Sequence, residues 1–194
     1  MKQWLLVVAG SVAGLIVLAL CALFVLSHRR GHGELHASID IARPRAEVAQ
    51  WFADSAKLTQ WVSWLVEIRR DNTRPRGGGS TEVWVMDDPR RVEPLEISGI
   101  VVTLDSSGVL ATFAVPGAFH GDYQYALSPA AGDGTHVDYS GHVVFENPIV
   151  ALMEPLMMPL ARTKQIGDMA RLKEKVEQAP TTAANANGTT APKR

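Results

Sequence analysis

Apolar and polar residues divide the chain into an apolar N-terminal run, a middle region of alternating segments and a polar C-terminal end. The run from Trp4 to Leu26 contains no charged residue. As a helix it would be about 35 Å long, enough to cross a hydrocarbon core of about 30 Å. We therefore predict an uncleaved single-pass membrane anchor in residues 1–30. The alternative interpretations are a cleaved signal peptide and a lipoprotein signal at Cys21.

Two features of this run concern how the anchor would sit in a membrane. Lys2 on one flank is matched by Arg29 and Arg30 on the other, so the charge pattern leaves the orientation of the anchor open. Gly10 and Gly14 form a small-xxx-small pair, which would let two anchors approach closely. A homodimer formed through the anchor is therefore one prediction.

An alternating pattern opens the region that follows. From Leu35 to Ile41 apolar residues alternate with polar ones, which predicts a half-buried strand. Pro44 ends this strand and suits the first turn of a short amphipathic helix. Asp54 can cap a second short helix, which we expect to end near Trp64.

Beyond Trp64 the apolar residues fall into strand-like segments separated by turn formers at intervals of about ten residues. This spacing predicts an antiparallel meander. The predicted strands are Val66–Asp71, Ser80–Met86, Val92–Leu104, Val109–Val115, Gly121–Leu127 and His136–Glu146.

The last structured element is predicted to be a long helix. It begins near Pro148 or Pro159 and runs to about Gln178, with apolar residues at helical spacing along one face. After it the chain has no large apolar residue, which predicts a disordered tail. The chain thus comprises an anchor (1–30), one folded domain (31–177) and a tail (178–194).

Charge and cysteine content exclude several classes of function. Residues 31–177 carry 14 basic and 20 acidic residues, a net charge of −6, with no basic stripe for a nucleic acid. The single cysteine, Cys21, excludes an intrachain disulfide and a cysteine-ligated zinc site. His120, Asp122 and His136 are the candidates for a metal site, but they lie in or beside turns without the spacing that holds ligands together, and we expect no metal and no cofactor.

Several segments in this order resemble the polyketide cyclase/dehydrase and START-like superfamily, also called SRPBCC. Ile39–Val48 resembles the superfamily's opening I-x-I-x-A-P-x-x-x-V, with Arg43 in place of Ala. Trp61 and Trp64 resemble the W-x-x-W that closes its second helix. Tyr125–Val137 resembles its Y-x-L-x-P…G-T-x-V hairpin, and Leu172–Glu177 is similar to the end of its long helix.

The resemblance implies an α+β helix-grip fold, in which a curved antiparallel sheet of about seven strands wraps around the long C-terminal helix. It also implies an apolar cavity between the sheet and the helix. Members bind lipids, quinones, polyketides, hormones or other small hydrophobic molecules, and a minority catalyse cyclisation or dehydration. This chain departs from the common pattern in its anchor and in Pro155 and Pro159, near the start of the helix.

Large aromatic and methionine side chains are the best candidates for a ligand-binding wall, because they offer more soft apolar surface than a core of this size needs. The alternative for each residue is an ordinary place in the core. The candidates are Trp61, Trp64, Trp84, Met86, Phe113, Phe119, Tyr123, Tyr125, Met153, Met157 and Met158.

Acid–base chemistry has weaker candidates in His142, Tyr123 and Tyr125. Alternation places His142 and Glu146 on one face of the last strand and aromatic residues on the other. His142 and Glu146 would form a buried acid–base pair only if their face lined the cavity, and polar rows usually face solvent.

The sequence as a whole favours a membrane-anchored domain that binds a small hydrophobic ligand such as a lipid or a quinone. An enzyme of the cyclase or dehydratase type, with the same cavity, is the first alternative. A ligand-free scaffold that binds a partner protein is the second.

Overall fold

The structure is a computed structural model that describes residues 14–22, 24–25, 31–71, 73, 75–89 and 91–180. Residues 14–22 and 24–25 are helical. Within the described ranges no helix has both the length and the hydropathy that crossing a membrane requires. Much of the predicted anchor, including Gly10, lies outside the described residues, so the anchor and the dimer contact remain predictions.

Seven antiparallel strands form one sheet in the order β1-β7-β6-β5-β4-β3-β2. This order confirms the predicted meander, and β1 closes it by pairing with β7. The strands are β1 (His32–Ile41), β2 (Leu65–Arg70), β3 (Thr81–Met86), β4 (Leu95–Asp105), β5 (Gly108–Val115), β6 (Phe119–Pro129) and β7 (Thr135–Phe145).

The observed strand ends differ from the predicted ones by at most three residues. The clearest correction concerns β4, which begins at Leu95 and not at Val92. Pro94 lacks the N–H that a ladder position needs, so the strand begins after it. Val92 is consequently fully exposed.

The α-helices in the described part of the folded domain are α1 (Arg45–Ala53), α2 (Ser55–Trp61), α3 (Pro148–Leu152) and α4 (Glu154–Gln178). Asp54 caps α2 as predicted, since its side chain accepts a hydrogen bond from the Ala56 N–H at 2.9 Å. However, α2 ends at Trp61 and not near Trp64. Val62 already has extended backbone angles, and Trp64 adopts a left-handed conformation with φ of 67°.

The predicted start of the long helix was wrong. Pro148 opens the separate short helix α3, and Met153 separates α3 from α4. Pro155 lies in the first turn of α4, where the missing N–H costs little. Pro159 lies inside α4 and does not begin it, and the Thr163 hydroxyl donates to its carbonyl at 3.0 Å.

The core lies between the inner face of the sheet and the helices. From α4, Met169, Leu172 and Val176 are fully buried, and α4 packs mainly along β1. Phe52 of α1 and Trp61 of α2 meet the sheet at Tyr125, with ring centroids 5.0 and 5.8 Å away. Each such side chain contributes about 1.5–3 kcal/mol when fully buried. The helices thus fill the β1 side of the interior more completely than the β3–β5 side.

Candidate functional site

A cavity of about 170 Å³ lies against the inner face of β3, β4, β5 and β6. This volume is close to that of engineered apolar cavities, about 150 Å³, that take up a single benzene-sized molecule. It is smaller than most ligand pockets, which measure about 300–1,000 Å³. Its wall includes Glu82, Trp84, Val101, Ala111, Phe113 and Tyr123.

The cavity lies along a row of residues that pair across neighbouring strands. In this row bulky side chains alternate with glycines, which have no side chain. Glu82 pairs with Gly99, Gly99 with Phe113, and Phe113 with Gly121. Inner-face residues of a strand project into the same space, so a glycine between two bulky residues leaves a gap. A Cβ on Gly99 would lie 2.9 Å from the Thr112 carbonyl oxygen, so this position accepts a side chain only if the backbone shifts.

An ion pair forms one corner of this apolar space. Arg76 donates from Nε to Glu82 Oε1 at 2.6 Å and from Nη2 to Oε2 at 3.1 Å. Trp84 Nε1 donates to the same Oε2 at 2.9 Å, and Arg76 also donates to the Phe52 carbonyl. The two charged side chains are 1% and 2% exposed. The carboxylate is therefore buried together with a bidentate partner that compensates its charge.

Three tyrosines continue along the inner face from this corner. The Tyr123 and Tyr125 ring centroids are 6.0 Å apart, and those of Tyr125 and Tyr139 are 4.8 Å apart. Burial raises the pKa of Tyr123 to about 12 and raises the pKa of both Tyr125 and Tyr139 further above the ordinary value of 10. All three phenols are therefore protonated at neutral pH.

The eleven candidate ligand residues separate into different environments. Trp84, Phe113 and Tyr123 line the cavity. Trp61, Met86 and Tyr125 are buried in the core, and the Tyr125 hydroxyl accepts a hydrogen bond from Gln165 Nε2 at 2.7 Å.

Phe119 and Trp64 occupy the margins of the inner face. Phe119 packs between Phe113 and Phe145, with centroids 6.2 and 6.4 Å away. Trp64 is partly buried beside the core, and Lys164 Nζ lies 5.3 Å from the centre of its ring.

The three methionines of the helical region do not line the cavity. Met158 packs against β1, so closely that a Cβ on Gly33 would lie 2.5 Å from its sulfur. Met157 is half-buried, and Met153 is exposed. Their adaptable surface is therefore separate from the wall formed by Trp84, Phe113 and Tyr123.

His142 lies on the outer face of the sheet and is half-exposed. The predicted pairing with Glu146 is not formed, because His142 Nδ1 lies 3.3 Å from Asp122 and Glu146 lies 2.9 Å from His120. Asp122 is the cross-strand neighbour of His142 on β6, so His142 contacts Asp122 and not Glu146. Within the described ranges, no group of three or more His, Cys, Asp or Glu side chains is placed to hold a metal ion.

Sequence reasoning missed both members of the buried ion pair. Alternation along β3 places Glu82 on the same face as Trp84 and Met86, so a carboxylate on an apolar face was a detectable signal. Arg76 had no such signal, because it follows a proline in a segment rich in turn-forming residues.

Comparison with known proteins supports the same architecture. A family model described as polyketide cyclase / dehydrase and lipid transport matches residues 32–177. No curated protein sequence is significantly similar to this chain.

Solved structures of similar fold cover about three quarters of the chain. A START superfamily protein from Mycobacterium smegmatis has a TM-score of 0.60 at 14% identity, covering 76% of this chain and 99% of that one. The di-domain ARO/CYC protein BexL has a TM-score of 0.62 at 12% identity, with coverage of 78% and 52%. A protein from Thermus thermophilus has a TM-score of 0.59 at 19% identity, with coverage of 77% and 100%.

Proposed function

Because this chain belongs to the polyketide cyclase / dehydrase and lipid transport family, we propose that it binds a small hydrophobic ligand in the cavity beside β3–β6. The observation that carries the proposal is an apolar cavity of about 170 Å³ with hydrogen-bonding groups at one corner. Apolar pockets with a few convergent polar groups are the common design of small-molecule sites.

The wall indicates the chemistry of the ligand. Trp84 and Phe113 offer aromatic surface, while Tyr123 and Glu82 supply the polar atoms. An ionised carboxylate has about four acceptor positions, and Glu82 uses three of them on Arg76 and Trp84. A ring hydroxyl can donate to the remaining acceptor position of Glu82, and a ring carbonyl can accept from the Tyr123 hydroxyl. A phenol- or quinone-type ring is therefore the best-fitting ligand head.

The predicted anchor would keep this domain at a membrane, where sparingly soluble ligands of this type accumulate. Tethering raises the effective concentration of the binding site near its ligand without any new contact. The support for this part of the proposal is the uncharged run from Trp4 to Leu26.

The residues of the cavity wall fit a role in ligand binding better than a role in acid–base catalysis. The pKa of Tyr123, raised to about 12 by burial, makes its phenol a poor proton donor near neutral pH. Both oxygens of Glu82 accept hydrogen bonds from Arg76, which hold the carboxylate in place as part of the wall.

The test is native mass spectrometry of the full chain extracted in mild detergent, combined with calorimetric titration of p-cresol. Ala111 lines the cavity, and Ala111→Leu would fill part of it. Ala114→Leu, three residues along β5 on the opposite face, is the matched control.

We expect a co-purifying small molecule, or p-cresol binding, in the wild type and in Ala114→Leu, and a loss of at least tenfold in affinity in Ala111→Leu. Ala111→Val adds less volume and serves if the leucine variant does not fold. Equal retention in all variants, or no binding in any, would overturn the proposal.

A further inference from the structure

An exposed apolar stripe runs along α3 and the first turns of α4. Ile149, Met153, Leu156 and Leu160 are 73%, 46%, 59% and 48% exposed. Leu156 and Leu160 are one turn apart on the same face of α4, Met153 immediately precedes α4, and Ile149 lies in α3. Soluble surfaces rarely carry contiguous apolar areas of this kind unless something covers them.

The residues around this stripe are also unusually poor in charge. Between Asn147 and Ala161 the only charged residue is Glu154. Pro155 and Pro159 are exposed beside the stripe and add further apolar surface. This face therefore offers water few favourable contacts.

The stripe lies next to the point where the N-terminal run joins the domain. The Phe145 N–H donates to the Gly31 carbonyl at 3.0 Å, and Ile149 follows Phe145 by four residues. Two residues into β1, Gly33 packs against Met158 of α4. The entry of the chain and the first turns of α4 are thus in direct contact.

The linker between the predicted anchor and the domain is short. From Leu26 to Gly31 the chain advances five residues, and fully extended it would span at most about 17 Å. A bilayer that holds the anchor must therefore lie within that distance of Gly31. The stripe begins at Ile149, four residues after the Phe145 that hydrogen-bonds to Gly31.

We propose that Ile149, Met153, Leu156 and Leu160 lie on the surface of the lipid bilayer into which the anchor inserts, at the boundary between head groups and acyl chains. This inference rests on the proposed anchor. Amphipathic helices bind at this depth with their apolar face toward the acyl chains, and the anchor would raise the effective concentration of the stripe at the bilayer surface. The docked stripe would fix the orientation of the domain relative to the membrane.

The experiment uses the full chain in phosphatidylcholine nanodiscs, with Cys21→Ser as background. An environment-sensitive NBD fluorophore is attached to Leu156→Cys, and in a matched variant to Ile100→Cys. Ile100 is similarly exposed but lies on the outer face of β4, away from α4. Doxyl-labelled lipids then report which fluorophore contacts acyl chains.

We expect doxyl lipids to quench the fluorophore at position 156 at least threefold more than the one at position 100. Adding Leu160→Glu to the 156 variant should reduce that difference, since the charge opposes burial in lipid. A blue-shifted but unquenched fluorophore at 156 would mean that protein covers the stripe, either the N-terminal run or a second copy, and would overturn the inference.

Vesicle flotation separates this inference from the proposed anchor. If the chain floats with vesicles while position 156 stays unquenched, the anchor stands and the docked stripe is wrong. If the chain stays in solution without detergent and does not float, the predicted anchor is wrong. The docked stripe is then also wrong, because it depends on the anchor.

Discussion

The guanidinium of Arg76 and the carboxylate of Glu82 meet at 2.6 Å, Nε to Oε1, at the edge of an apolar cavity. Arg76 comes from the loop before β3 and also donates to the Phe52 carbonyl at the end of α1. One side chain therefore connects a loop, a helix and the cavity wall. The pair holds a polar corner in a fixed position inside a hydrophobic interior.

Removing one partner of this pair should destabilise the domain strongly. Arg76→Met leaves the Glu82 carboxylate buried without its counter-charge, and we expect a loss of about 3–5 kcal/mol in the free energy of unfolding. The double variant Arg76→Met/Glu82→Leu should recover most of that loss, because no uncompensated charge remains. Urea unfolding measures both. A single variant as stable as the wild type would contradict this account.

The tyrosine row should make stability fall at high pH. Unfolded tyrosines titrate near pH 10, whereas burial raises the pKa of Tyr123 to about 12 and that of Tyr139 higher. Between these values the folded state holds more protons than the unfolded state, so the free energy of unfolding decreases as pH rises. The slope should be about 1.4 kcal/mol per pH unit for each tyrosine.

Absorbance at 295 nm and urea midpoints at pH 9, 10 and 11 test this dependence. The native protein should show no phenolate signal at pH 10.5, and urea-unfolded protein should show a large one. Tyr139→Phe should reduce the slope of stability against pH by the contribution of one group. A native phenolate signal that appears at the ordinary pKa would show that the tyrosines are accessible to water.

Asp168 should be needed for α4 to pack against the turn after α2. This buried carboxylate accepts hydrogen bonds from the Ser63 N–H at 3.0 Å and the Ser63 hydroxyl at 2.6 Å, and it pairs with Lys164 and Arg171. Asp168→Asn removes the charge that those donors favour, and we expect a loss of about 1.5–3 kcal/mol. Asp138→Asn, on the exposed face of β7, is the control and should change stability little. Equal losses in the two variants would refute a special role for Asp168.

Tyr123 should select ligands that carry a hydroxyl group. The wild type should bind p-cresol more tightly than toluene, by up to about tenfold, because one hydrogen bond contributes about 0.5–1.5 kcal/mol. Tyr123→Phe should reduce this preference without abolishing it, because Glu82 keeps one acceptor position, and it should leave toluene binding unchanged. Calorimetric titration of both compounds measures the ratio. An undiminished preference in the variant would show that Tyr123 does not contact the hydroxyl.

Turn formers at intervals of about ten residues were sufficient to predict the six strands of the meander, whereas the pairing of β1 with β7 was not predicted. The ends were less certain, since they depend on single residues. Pro94 delays the start of β4, and Met153 divides the C-terminal helical region. Proline positions alone did not show whether α4 begins at, before or after Pro159.

The cavity was predictable in kind but not in position or size. Which aromatic residues line it depends on cross-strand pairs, such as Gly99 with Phe113, that join residues distant in the sequence. A single sequence does not give this register. Tyr123 and Tyr125 were equally good candidates by residue type. Their cross-strand neighbours differ, so Tyr125 lies in the packed core while Tyr123 borders the cavity.

The placement of β1 has a consequence for the order in which this domain assembles. Its strand partner is β7, and its other long contact is with α4, both formed by the last part of the domain sequence. Arg43, just after β1, donates to the carbonyl oxygens of Glu177 and Ala179 at 2.8 Å. During synthesis β1 therefore stays unpaired until the ribosome has released nearly the whole domain. Such long-range closure slows folding, and the nascent chain spends that interval with an exposed sheet edge.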